Sequence, residues 1–248
     1  MVLTSRILQD RLGIDQDVAD YFANLRPVPP DNLFWKNKRI YLSVGFGYLT
    51  IPFAYDLMFK CGIPKKVLLE DQHVSLMEQG FDRLRRYENK ELSHQQFLSA
   101  CRDILKDNIR QEHLASDLLG VFSGTPPRYF QLETKHKALA RSDFFLFTLV
   151  DLELTDEWIQ SFLPYWYALA RPILLLDDFK DLAEDRRTNE ENTIIELGNN
   201  KEGVWAAHQL GMTDITLLEE KNKKLAKHME ELLKEALLYP QIVEVLNQ

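Results

Sequence analysis

An apolar run, Pro172-Ile173-Leu174-Leu175-Leu176, passes without a break into Asp177-Asp178-Phe179-Lys180-Asp181-Leu182-Ala183-Glu184-Asp185-Arg186. A segment that belongs inside a protein therefore ends abruptly in carboxylates. Residues three or four apart share a helix face, so Asp177, Asp181, Glu184 and Asp185 form an acidic stripe that begins where the apolar stripe stops. Two carboxylates about 5 Å apart repel by roughly 3 kcal/mol at an effective dielectric near 20. Several together at the mouth of an apolar cavity call for a cation. An all-oxygen ligand set suits Mg²⁺, which keeps its waters and recruits substrate phosphates. The plainer reading of the same residues is a solvated helix end carrying pairs with Lys180, Arg186 and Arg187.

The rest of the chain is equally helical in pattern. It has 248 residues with only ten Gly and ten Pro, and strand-type alternation is scarce while helical periodicity recurs from end to end. The expected elements are a helix over 5–25, a break at Arg26-Pro27-Val28-Pro29-Pro30-Asp31, and a long apolar helix over 32–59 kinked at Pro52. Gly62 and Pro64 mark a stop and restart. Further helices are expected over 65–87, over 93–119 with Ser93 as its cap, and over 129–150. Thr155, with Asp156 and Glu157 behind it, reads as the N-cap of a helix that contains Pro164 and Pro172 and ends in the acidic stripe. Gly198 and Gly211 punctuate the C-terminal third, and an amphipathic helix over 214–238 closes the chain. With no repeat, low-complexity segment or Ser/Gly linker, one all-α domain of eight to ten helices spanning 1–248 is the expectation.

Charge and composition narrow the function classes. A formal net charge of −8 argues against a general nucleic-acid binder, which carries a basic footprint. Cys61 and Cys101 have no metal-type spacing and make no disulfide framework. No apolar run approaches bilayer length, and the amphipathic N-terminus lacks the apolar core of a signal peptide, so a soluble, cytoplasmic protein is expected. The six histidines are scattered, without HExxH, and neither a P-loop nor G-x-G-x-x-G occurs.

Asp177-Asp178-Phe179-Lys180-Asp181 matches the second DDxxD motif of trans-isoprenyl diphosphate synthases, and the stretch 175–195 is similar to the corresponding helix of phytoene and squalene synthases. The chain thus resembles the class I isoprenoid synthase superfamily. Other segments appear in the family's order. Lys36-Asn37-Lys38-Arg39 is similar to the family's basic diphosphate-binding segment. Lys137, in Lys135-His136-Lys137-Ala138, resembles the lysine element that reaches substrate phosphate, with Ala138 where the family has Thr. The first Asp-rich motif is degenerate: Glu78-Gln79-Gly80-Phe81-Asp82 keeps two acids four apart, and Arg85 and Arg86 resemble the arginine pair that comes after it. Asn192 and Glu196 are a looser likeness to the metal motif of terpene cyclases.

The resemblance implies a single-domain helical bundle around a central apolar cavity, often dimeric, acting on allylic prenyl diphosphates. Mg²⁺ would be held by Asp177, Asp181, Glu184, Asp185, Glu78 and Asp82. Asp177, Asp178, Asp181 and Lys137 would serve catalysis, and Lys36, Lys38, Arg39, Arg85, Arg86 and Lys137 would bind diphosphate. Metal-assisted ionisation would make the activity that of a prenyltransferase or terpene synthase. The degenerate first motif supports an alternative, a non-catalytic prenyl-lipid-binding or regulatory subunit that retains the fold.

Overall fold

A computed structural model describes residues 4–27, 31, 50–133 and 135–248. The basic segment Lys36, Lys38 and Arg39 and most of the helix expected over 32–59 lie outside the described residues.

Among the described residues there are thirteen α-helices and no strand. They are α1 (Ser5–Asp10), α2 (Gln16–Asp20), α3 (Thr50–Lys60), α4 (Lys65–Leu68), α5 (Asp71–Glu88), α6 (His94–Leu105), α7 (Glu112–Phe122), α8 (Lys137–Ala140), α9 (Asp156–Thr188), α10 (Thr193–Glu196), α11 (Lys201–Leu218), α12 (Lys223–Ala236) and α13 (Pro240–Leu246). Tyr21–Leu25 continues α2 as a π-helical turn, and Arg141–Leu149 continues α8 as a 3₁₀ segment. No helix among the described residues is long and apolar enough to cross a membrane.

The axis of the molecule is α9, a continuous 33-residue helix that runs through both Pro164 and Pro172. Each proline removes one backbone donor, and burial of the surrounding residues holds the helix together. Ile159, Phe162, Leu163, Trp166, Leu169, Leu175, Leu176 and Phe179 are all at most 2% exposed. Around it pack α3, α8, the 3₁₀ segment, α10, α11, α12 and α13. Thr155 caps α9 by accepting from the Trp158 amide, and Ser93 caps α6 in a reciprocal capping box with Gln96, both as the sequence predicts.

Five expected helices are divided or reshaped, and the one over 65–87 parts at Leu69-Glu70 into α4 and α5. The helix over 5–25 opens at 11–15, where the Asp15 side chain caps α2 through the Asp17 and Val18 amides. The helix over 93–119 is interrupted between Leu105 and Glu112 because the amides of Arg110 and Gln111 turn out to the Val150 carbonyl. The buried Gln111 side-chain amide then donates to the carbonyls of Leu152 (2.7 Å) and Leu154 (2.8 Å). In place of a helix over 129–150, Asp117 accepts from the amides of Arg128, Tyr129 and Phe130 at 2.7–2.8 Å. That pins an irregular strap, and helix begins only at Lys137.

The helix expected over 214–238 is likewise two helices. Asn222 stands between them, capping α12 through the Leu225 amide (3.1 Å). Its side-chain amide donates to the carbonyls of Leu12 (3.0 Å) and Gly13 (3.2 Å) and to Asp56 (3.2 Å). Gly211 punctuates nothing: it lies inside α11, and a Cβ there would meet Leu233 at 2.6 Å and Leu175 at 3.1 Å. The missing side chain lets α11 press against α9 and α12 at once.

Candidate functional site: the acidic end of α9

Helical geometry sets Asp177, Asp178, Asp181, Glu184 and Asp185 on the last turns of α9, but their surroundings divide them. Asp178, 1% exposed, faces inward. Its Oδ1 accepts from Arg141 at 2.8 Å and its Oδ2 from the Thr193 amide at 2.9 Å. Burial pushes its carboxyl up to about 6, against the pull of Arg141 and Thr193. Asp185 accepts from the Asn192 side chain at 2.8 Å, and Glu184 pairs with Arg187 at 3.3 Å on the exposed surface.

Asp177 and Asp181 remain on the open side of the helix, one turn apart. Their side chains are 24% and 36% exposed. Asp177 lies 3.8 Å from Arg141, at the outer limit of an ion pair, and Asp181 meets its neighbour Lys180 at 3.1 Å. Burial raises the Asp177 carboxyl above its ordinary range. Arg141 opposes the rise, and the negative charges of Asp181 and Asp185 add to it. The two carboxylates thus share one face of the helix and are both partly open to solvent.

The lysine element lies beside this face. The amides of Lys137 and Ala138 donate to Glu196 at 3.1 and 2.9 Å, which docks α8 against α10. Arg141, one helical turn on, reaches Asp177 and Asp178. The Lys137 side chain is exposed and takes part in no ion pair among the described residues. Arg141 was not evident from the sequence, since nothing in Ala140-Arg141-Ser142 announces which carboxylate it reaches. Asn192 and Glu196 act as ties. The Asn192 amide donates to the Asp178 carbonyl (2.7 Å) and to Asp185, and its Oδ1 caps the Ile194 amide.

The acids of the degenerate first motif are engaged with cations of their own. Arg26, from the break after the π turn, inserts beneath α5 and binds Glu78 through two bonds of 3.0 and 2.8 Å. The same guanidinium also reaches Asp71 and Ser75. Glu78 is 2% exposed and Arg26 6%. Asp82 accepts from Arg83 (2.8 Å) and Arg86 (2.7 Å), and Arg85 pairs with Glu88 at 3.1 Å. Arg86 and Arg85, expected on a diphosphate, are thus directed at carboxylates of α5 and its C-terminal turn.

Aromatic rings fill the space between the two motif helices. Phe145 of the 3₁₀ segment lies 5.5 Å from Phe81 of α5 and stacks on Trp166 of α9 at 4.9 Å. Phe144 and Phe147 pack edge-on against the same Phe81 at 5.7 Å. The apolar cavity beside them, lined by Gly80, Phe97, Cys101, Phe144 and Phe147, holds about 30 Å³, far short of a prenyl pocket.

Of the two acid sets, that of α9 keeps Asp177 and Asp181 partly open to solvent, and that of α5 is buried. Among the described residues no group of three His, Cys, Asp or Glu side chains converges as a ready-made metal site. Asp177 and Asp181 meet exposed or half-exposed cations, Arg141 at 3.8 Å and Lys180 at 3.1 Å, whereas Glu78 and Asp82 already neutralise arginines from within the fold. No protein-family model, curated protein or solved structure matches this chain.

Proposed function

We propose that this protein binds the diphosphate group of a ligand in a magnesium-dependent manner on the acidic end of α9, as a binding or regulatory subunit and not as a transferase. The observation that carries the reading is the division of the acids. Asp177 and Asp181 stay on an open face beside Arg141, while Glu78 and Asp82 are held by arginines. Asp177 and Asp181 would hold Mg²⁺, which would supply Lewis-acid charge to a diphosphate. Arg141, whose Nε donates to the Ala138 carbonyl and whose Nη2 donates to Asp178, would turn Nη1 to that diphosphate, and Lys137 would add a mobile charge. Ionisation of an allylic diphosphate would draw on carboxylates from both helices, which is why the closed α5 site favours binding over catalysis.

Calorimetry with Mg²⁺ and either inorganic diphosphate or geranyl diphosphate tests this. The two ligands should bind with affinities within a few-fold of each other, because among the described residues the aromatic filling leaves no room for the prenyl chain. A working prenyl pocket would instead add roughly 0.8 kcal/mol for each buried methylene. Asp177→Asn should abolish the metal-dependent component with helical content intact, and Glu78→Gln should leave it nearly unchanged. Release of diphosphate with a prenyl or cyclic product would overturn the non-catalytic reading in favour of prenyltransferase or terpene synthase activity. Metal-independent binding would overturn both.

A further inference from the structure

A cavity lies away from α9's acidic end, where the start of α5, the connection between α6 and α7, and the lead-in to α9 meet. It holds about 570 Å³, within the range of small-molecule sites. Its chemistry is layered. At its floor His73, 3% exposed, presents Nδ1 to both oxygens of Asp151 at 2.9 and 3.1 Å. Val67, Leu152 and Trp158 supply apolar wall, and Trp158 is held in place by a 3.0 Å bond from its indole N–H to the Cys61 carbonyl. At the rim Arg110 and Glu153 pair at 2.6 Å, and Gln72 donates to Asn108 at 2.7 Å. Glu70 lines the same space.

Two features of this arrangement look toward a ligand. An ionised carboxylate has about four acceptor positions, and the Asp151 side chain, 11% exposed, receives a single imidazole donor among the described residues. The remaining lone pairs border the cavity. The charge balance is also one-sided. Three carboxylates, Glu70, Asp151 and Glu153, line the cavity, and the Arg110 charge is spent on Glu153. An anion would meet net repulsion there. A protonated amine would complete the Asp151 hydrogen bonds and lay its carbon skeleton against the Trp158 indole and the aliphatic wall.

From this we infer that the cavity is a binding site for a small organic cation, an alkyl- or arylammonium whose N–H groups bond Asp151. The site is separate from the α9 acids and stands independently of the function proposed for them.

The test uses three probes of equal shape, benzylamine, benzyl alcohol and benzoate, with ligand-observed NMR and thermal shift on the full chain at pH 7. Benzylamine should bind saturably, at least tenfold more tightly than benzyl alcohol, with benzoate weakest. Asp151→Asn should lower benzylamine affinity at least tenfold. Because that change also touches His73, Val67→Trp provides a second arm: it fills the cavity from the wall, leaves the His73–Asp151 pair intact, and should abolish binding while the fold persists. Benzoate binding as tightly as benzylamine would overturn the assignment. So would benzylamine binding unaffected by Val67→Trp, or no saturable binding of benzylamine at tens of millimolar.

Discussion

Asp143 offers a direct test of how the interior is held. It is fully buried, and its Oδ1 accepts from the Tyr167 hydroxyl at 2.6 Å and from the Glu133 amide at 3.3 Å, while its Oδ2 has no partner among the described residues. Burial is the chief cause that pushes its carboxyl from an ordinary 3.8 up to about 7. The carboxyl is therefore protonated in the fold over a range where it is ionised in the unfolded chain. Its contribution to stability is fully present below about pH 3.8, falls as pH rises, and is lost above about pH 7. At 1.36 kcal/mol per pH unit for one proton, the loss between pH 5 and pH 8 comes to roughly 3 kcal/mol. Asp143→Asn keeps the acceptor for Tyr167 and cannot ionise. Urea unfolding of both proteins at pH 5, 6, 7 and 8 should show the wild type losing about 3 kcal/mol more than the variant. Asp178 and Asp214, also raised by burial, to about 6 each, titrate in both proteins and cancel in the difference. Parallel pH profiles would refute the reasoning and show that Asp143 is ionised in the fold.

The same structure leads to three further outcomes. Asp178→Asn should cost about 1–3 kcal/mol by removing the charged partner of Arg141, yet leave Mg²⁺–diphosphate affinity within a few-fold, in contrast to Asp177→Asn, which calorimetry would detect. Arg171→Met should destabilise by about 3–5 kcal/mol in urea melts, because its guanidinium is shared between buried Glu133 (3.0 Å) and Asp214 (2.6 Å). Asn222→Ala should cost about 1–3 kcal/mol and selectively raise amide exchange in 5–14, since it unties the Leu12 and Gly13 carbonyls together with the α12 cap.

Much of the helical framework was legible in the chain because its causes are local. Ser93 with Gln96 and Thr155 with Trp158 are bonds across three residues, and the apolar spacing from Ile159 to Leu182 matches the buried face of α9. The breaks were legible only where Pro or Gly marked them, as at Gly62-Ile63-Pro64. The interruption after Leu105 carries no such mark. Its cause is the carbonyls of Val150, Leu152 and Leu154, some forty residues away.

By itself the sequence determined an all-helical chain with a long central helix ending in carboxylates, since helix hydrogen bonds and caps join near neighbours and their periodicity can be read in order. It also placed Asp177 and Asp181 on one face, a consequence of 3.6 residues per turn. Only the tertiary structure decided which acids stay open. Arg26 reaches Glu78 across 52 positions, Arg141 reaches Asp178 across 37, and His73 reaches Asp151 across 78. A carboxylate's chemistry depends on the cation and the solvent beside it, and those neighbours are supplied by packing, which no local pattern encodes.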